Sequence, residues 1–388
     1  MKNSNLEVIC HELYETPKDR GEEDFIEFVE RNLNQFKDKL DDFEGKVAQK
    51  VNDCKDPIIQ LCDKIVHCLK YYYEGRTYEA YGEFSEGLNF VLNNNSTVFS
   101  PADYHNYNSQ LNRLYRARVS KDILSKRTEI FHPPSYLRHM LSDQRYSIRG
   151  LPCIYLANSS YVCWEELGRP DLREFWVSRF ELDRKELPIL YLNPTSRYLT
   201  GAYEFAQRSN VIPANMFDNL IPQFLLKWPL QMVTSVKVAK QYANANFKPE
   251  YIIPQFLMEW VRNNKKFRGI CYPTTKDTIA DNFIAGDMVN YAIPAGEIRG
   301  EGFCKYMSEH LRMTSPVSVK LMEMLQIKTD ISNLEKAMKP NAGEDFDDFP
   351  SFFDLTTSPD IRQPYANTSF GTLEAYLNSL PPKLLIES

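Results

Sequence analysis

The chain has 388 residues, 43% of them hydrophobic and 25% charged, enough apolar material to bury a sizeable core and exclude wholesale disorder. At that length the expectation is two domains, or one domain with long additions. The formal net charge of −6 argues against a dedicated nucleic-acid binder, which would be basic.

No stretch approaches the ~18 apolar residues of a membrane span. The most apolar window, residues 251–261, is interrupted by Pro254 and Glu259. Residues 1–24 are polar and acidic, with no apolar signal core, so a cytoplasmic protein is expected. The eight cysteines form no CxxC, and several sit in apolar runs, as Cys153 does before Ile154-Tyr155-Leu156. This pattern fits reduced, buried thiols rather than a disulfide scaffold.

From the N-terminus, Ile26, Val29, Leu33, Phe36, Leu40, Phe43 and Val47 recur at three- and four-residue steps, predicting a helix over 22–51. Pro57 suits a second helix start, with Ile58, Leu61, Ile65 and Leu69 on one stripe. A third helix is predicted over 78–92, closed by Asn93-Asn94-Asn95-Ser96. Residues 1–100 therefore read as an all-α module. Cys54, Cys62, His67 and Cys68 lie close in sequence, but Cys62 and Cys68 are six apart on a helix and face different ways, which speaks against a metal site.

Beyond residue 110 the pattern changes to short β-like runs at 153–157, 175–182, 187–192, 269–272 and 289–293, bounded by Gly, Pro and Asn. Helical runs at 216–226 and 255–262 lie between them. An α+β domain over 105–330 follows. Residues 340–388 read as an acidic C-terminal extension: 344–354 carry acids and phenylalanines but no base. Residues 113–149 hold nine Lys/Arg against three Asp/Glu, either a solvated face or an anion site. The acidic extension has the charge to occlude that stretch.

P-loop, GxGxxG, HExxH and GxSxG signatures are absent. What remains is a set of separated segments: Tyr115-Arg116; Arg145-Tyr146 followed by Gly150-Leu151-Pro152-Cys153-Ile154-Tyr155-Leu156-Ala157; Glu165-Glu166; Gly269-Ile270-Cys271-Tyr272-Pro273-Thr274; and Asn290-Tyr291-Ala292-Ile293-Pro294. In this order, with Glu166 eleven residues after Tyr155, they resemble the RES-domain family over about residues 105–300. The resemblance implies a mixed β core like that of diphtheria-toxin-type ADP-ribosyltransferases. It also implies an NAD+-consuming activity: phosphorolysis, hydrolysis or ADP-ribosyl transfer. Family members often act as toxins held by an antitoxin partner. The helical N-terminus resembles the HEPN-like module that precedes some RES domains.

By position, Arg145, Tyr155 and Glu166 take the family's catalytic places, and Arg116 and Thr274 its substrate-binding places. Thr274 stands where the family has serine and keeps the hydroxyl. His132, Arg138 and Glu165 are further candidates for shaping the pocket. The chemistry suits these residue types. Cleaving the nicotinamide–ribose bond builds positive charge on the ribose, which a carboxylate such as Glu166 stabilises. Arginine forks such as Arg116 and Arg145 bind pyrophosphate oxygens. Tyr155 can stack on the nicotinamide half, and Thr274 can donate a hydroxyl.

NAD+ is then substrate, not a resident cofactor, and no metal is expected. Phosphate is the candidate co-substrate, an antitoxin or immunity protein and a homodimer are candidate partners, and no membrane is involved. Three alternatives stay open: a protein ADP-ribosyltransferase, an inactive NAD-binding module, and a HEPN-type RNA-directed protein using the Arg127-x4-His132 spacing.

Overall fold

Stripes of apolar residues at helical spacing wind the N-terminal third into helices, and β-branched and aromatic runs bounded by Pro, Asn and Gly lie down as strands. A computed structural model describes residues 19–100, 113–182, 186–192, 214–276, 288–298, 302–327, 354–358 and 361–385. In chain order the main elements are α1 (Phe25–Lys39), α2 (Gly45–Tyr73), α3 (Thr77–Asn94), β1 (Arg113–Val119), β2 (Cys153–Ala157), α4 (Ser160–Glu166), β3 (Phe175–Leu182), β4 (Ile189–Tyr191), α5 (Ala214–Ser235), α6 (Ile252–Asn263), β5 (Gly269–Pro273), β6 (Val289–Pro294), α7 (Lys305–His310), β7 (Leu311–Met313), β8 (Val317–Ser318), α8 (Val319–Met324), β9 (Asp354–Ser358), β10 (Ile361–Pro364), α9 (Ser369–Ser379) and β11 (Lys383–Leu384). The fold is α+β, with both antiparallel and parallel strand pairs.

The chain divides into two units, each discontinuous in sequence. Unit 1 draws on residues 1–103, 142–149 and 189–275, and unit 2 on 104–141, 150–188 and 276–388. The chain passes from unit 1 to unit 2 at 103/104, near the boundary expected at 100, but unit 1 is not the N-terminal helices alone, because α5, α6, β4 and β5 fold with them, and no unit boundary falls near 330. Within unit 1, α2 packs on α3 and on α5, and β4 pairs with β5 in parallel, Leu190 opposite Ile270. Phe36 stacks on Trp228 at 4.2 Å between ring centroids. Gly87 lets α3 approach α2, since a Cβ there would lie 3.0 Å from the Lys64 Cβ.

The helix predicted over 22–51 is two helices, parted at residues 40–44, and α2 runs through Pro57 instead of starting at it. A proline inside a helix forfeits one backbone hydrogen bond. Here the burial of Cys54, Ile58, Leu61, Cys62 and Ile65 on both sides of it keeps the helix continuous.

Unit 2 is built on an antiparallel sheet in the order β11-β7-β3-β1-β2-β6, with β8 also pairing to β3. β1 lies along β3 with Arg116 opposite Ser178, and β2 along β6 with Ala157 opposite Asn290. One sheet face packs on α4 and α9 through Tyr115, Val162, Phe175, Val177, Phe370, Leu373 and Leu377. The expected extension 340–388 thus divides. Residues 340–353 lie outside the described residues, as does any occluding contact they make, whereas α9 and β11 are built into unit 2.

The seven described cysteines are free and buried. Burial pushes the Cys62 and Cys68 thiols upward, so they behave as packing groups. Among the described residues no helix is long and apolar enough to cross a membrane.

Candidate active site

The turn from β2 into α4 is set by Asn158-Ser159. Asn158 pairs with both backbone groups of Val289: its N–H donates to the Val289 carbonyl at 3.1 Å, and its side-chain oxygen accepts from Val289 N at 3.2 Å. The Ser159 hydroxyl caps α4, accepting from Val162 N at 3.1 Å. The helix ends directly after Glu166. Gly168 takes φ +78° and Arg169 φ +61°, and the Arg169 N–H returns to the Trp164 carbonyl at 2.9 Å.

Glu166 is therefore the last residue of a short helix, where the backbone dipole disfavours a carboxylate. Asn290 offsets this: buried on β6, it donates from Nδ2 to Glu166 Oε1 at 2.6 Å. The neighbouring carboxylate is spent elsewhere. Glu165 is 4% exposed, accepts the Tyr161 hydroxyl at 2.6 Å and pairs with Arg169 Nε at 2.8 Å, holding Arg169 in its left-handed conformation. Trp164 packs beside it, its indole N–H on the Pro170 carbonyl at 2.8 Å and its ring near Phe370.

Arg116 projects from β1. Its Nε donates to the Ile130 carbonyl at 2.9 Å and its Nη1 to the Tyr155 carbonyl at 3.0 Å; among the described residues Nη2 has no hydrogen-bond partner. Burial draws this guanidinium below its ordinary range. Tyr155 is half-buried on the same face of β2 as Cys153. The Cys153 thiol is pushed up to about 12 by burial, with hydrogen bonding to Tyr155 and the charge of Arg116 acting in the other direction. On α4, burial pushes the Cys163 thiol up strongly, and it senses Glu374, Arg116 and Glu166 together. Arg116, Tyr155, Glu166 and Asn290 are thus brought together in unit 2, around two thiols too basic to act as nucleophiles.

The remaining sequence-derived candidates have other surroundings. Arg145 belongs to unit 1. Its Nη1 and Nη2 donate to the Thr234 and Val236 carbonyls, both at 3.0 Å, and its guanidinium lies over the Tyr251 ring. These bonds satisfy carbonyls at the C-terminal end of α5, a structural use of the fork. Thr274, also in unit 1, is buried directly after β5.

His132 is fully buried. Its Nδ1 faces the Pro133 carbonyl at 2.8 Å, so it carries the proton, and Nε2 accepts from Cys304 N at 2.9 Å. Burial lowers it to about 4, so it is a neutral structural imidazole with both nitrogens engaged. That arrangement removes it as the general acid or base of a ribonuclease. Arg138 is exposed and donates to the Ser135 carbonyl at 3.0 Å. Much of the basic stretch 113–149 is accounted for this way: Arg116, Arg118, Arg138 and Arg145 all donate to backbone carbonyls.

Two groups beside the candidate centre escaped the sequence reading. Asn290 was visible only as the first letter of a motif. Glu374 sits within a segment read as an extension, and its partner Ser160 is 214 residues away in sequence.

Comparison with known proteins adds one finding. The chain is 29% identical over 333 residues, 82% of its own length and 68% of the other's, to the Bacillus subtilis (strain 168) protein named "Putative toxin YopC". No family model matches the chain, and no solved structure matches it significantly.

Proposed function

We propose that the chain is an NAD+-degrading enzyme that cleaves the nicotinamide–ribose bond by phosphorolysis or hydrolysis and acts as a toxin or defence effector. One observation carries this reading. Glu166 and Asn290, from two RES-like motifs 124 residues apart, meet in a 2.6 Å hydrogen bond. The similarity to a protein named as a toxin points the same way. On this reading the antiparallel sheet of unit 2 corresponds to the diphtheria-toxin-type ADP-ribosyltransferase core.

Each residue then has a task that its surroundings suit. The Glu166 carboxylate, oriented by Asn290, faces the ribose and stabilises the positive charge that develops as nicotinamide departs. Nicotinamide leaves as a neutral ring, so no acid is needed to protonate it. Arg116 has Nε and Nη1 anchored on carbonyls and directs Nη2 to a phosphate oxygen, a pre-oriented cation that loses little entropy on binding. Tyr155 supplies a ring for the nicotinamide half. Arg145 enters as a residue that orders the end of α5. A cell that makes such an enzyme needs a neutralising protein, so an antitoxin partner belongs to the proposal.

The test is nicotinamide release from NAD+ by the purified protein, with and without phosphate. Release that requires phosphate identifies a phosphorylase, and release without it a hydrolase. Transfer of labelled ADP-ribose to protein, with no free product, would replace this reading with an ADP-ribosyltransferase. No turnover from folded protein would overturn it.

A further inference from the structure

The buried carboxyl of Glu374 has no place in the chemistry above, yet it touches the helix that bears Glu166. It lies on α9 and is 3% exposed. A single oxygen, Oε1, accepts three hydrogen bonds: from Ser160 N at 2.6 Å, the Ser160 hydroxyl at 2.7 Å and the Tyr365 hydroxyl at 2.6 Å. Among the described residues Oε2 accepts none. The three donors on Oε1 tie α9 to the first turn of α4, and each of them favours the ionised carboxyl, so it is burial that holds the proton on Glu374.

Among the described residues no cation faces the group. From α4 it meets Ser160 and senses the Cys163 thiol; from the turn before α9, Tyr365; from β1, Tyr115. On β3 the nearest cation, Arg179, is committed to the Leu377 and Leu380 carbonyls and to Glu181. β8 contributes buried Val317 and Ser318. α8 contributes Met322, and its Lys320 and Glu323 are exposed. Burial without a counter-ion pushes the Glu374 carboxyl up to about 7, against the lowering effect of its three donors.

We propose that Glu374 is a proton-responsive positioning residue: protonated, it clasps α9 to the first turn of α4, and ionised, it loosens that turn and with it the helix that presents Glu166. α4 has only seven residues, so freeing its first turn disturbs its last. The carboxyl prefers its proton in the folded chain. The clasp is closed at low pH and opens as pH rises through about 7. Its structural part stands independently of the substrate. Its bearing on turnover rests on the NAD+ assignment.

The experiment is amide hydrogen exchange of residues 159–167 in the full chain between pH 5.5 and 8.5, corrected for intrinsic rates, in wild type, Glu374→Gln and Tyr365→Phe. Wild type should gain about tenfold or more in exchange across this range. Glu374→Gln keeps the acceptor oxygen and cannot ionise, so its exchange should stay flat. Tyr365→Phe removes a donor that favours the ionised form, so its transition should move to higher pH. Wild-type exchange that is flat, or that Glu374→Gln matches, overturns the clasp, as does an unmoved transition in Tyr365→Phe if the glutamine variant fails to fold. Nicotinamide release measured on the same samples separates the two claims. A pH-dependent clasp in a protein that leaves NAD+ intact retains the clasp and refutes the substrate.

Discussion

Replacing Gly371 with alanine should undock the C-terminal helix of unit 2. A methyl group there would stand 2.3 Å from the Tyr365 carbonyl oxygen, 2.6 Å from the Ala366 Cα and 2.7 Å from the Ala366 oxygen. All three are backbone atoms of the turn that leads into α9, so no flexible side chain can move aside. The turn is itself pinned. The Thr368 hydroxyl donates to the Tyr365 carbonyl at 2.6 Å and accepts from Gly371 N at 3.2 Å. Overpacking costs about 1–3 kcal/mol and sometimes more, and three backbone clashes put this case near ~3 kcal/mol.

Gly82 is the matched control. It is an exposed residue of α3 where an added methyl group would meet no atom within 4 Å, and Gly82→Ala should stabilise by roughly 0.5–1 kcal/mol through helix propensity. Both changes restrict the unfolded chain equally, so the gap of about 4 kcal/mol between them isolates native packing. Urea unfolding midpoints of the two variants measure it. Gly371→Ala as stable as wild type would refute the docking described here.

Other consequences follow from the same contacts. His132 is neutral in the folded chain and lowered to about 4 by burial, so it contributes stability at neutral pH that is lost as pH falls from about 6.5 towards 4. The loss is about 3 kcal/mol at most, and His132→Gln should flatten that acid limb in pH-resolved unfolding. Arg179→Met strips donors from the Leu377 and Leu380 carbonyls and should cost about 2–4 kcal/mol in urea unfolding. Asn290→Ala releases the Glu166 carboxylate from its orienting bond. Steady-state kinetics of NAD+ cleavage should show kcat down about 10- to 100-fold with KM little changed, whereas an equal rise in KM would assign Asn290 to binding instead.

Local chemistry was legible where it was self-contained. The runs at 153–157 and 175–182 form strands over the same residues, because Pro152 and Asn158 punctuate one and β-branched and aromatic residues fill the other. The helix that ends at Glu166 went unread, although Ser159 as a cap and Gly168 as a stop frame it. Partners distant in sequence were not legible. A guanidinium reads as an anion site whether it meets phosphate or, as at Arg145, two carbonyls near residue 235. Pro57 reads as a helix start, because one residue does not reveal the packing that carries α2 through it. The segment around Glu374 reads as an acidic tail because its apolar face, Phe370, Leu373 and Leu377, has no visible counterpart until β1 and α4 are in place. Of the Glu165-Glu166 pair, only tertiary structure separates the residue held by Tyr161 and Arg169 from the one held by Asn290.

That pair supplies the most direct test. NAD+ turnover should be measured for Glu165→Gln and Glu166→Gln side by side, each at a temperature where it is fully folded. Loss of turnover by about 100-fold or more in Glu166→Gln, with Glu165→Gln near wild type, is the predicted result. Turnover that survives in Glu166→Gln, or that falls equally in both, would contradict the assignment of Glu166 as the carboxylate that cleaves NAD+.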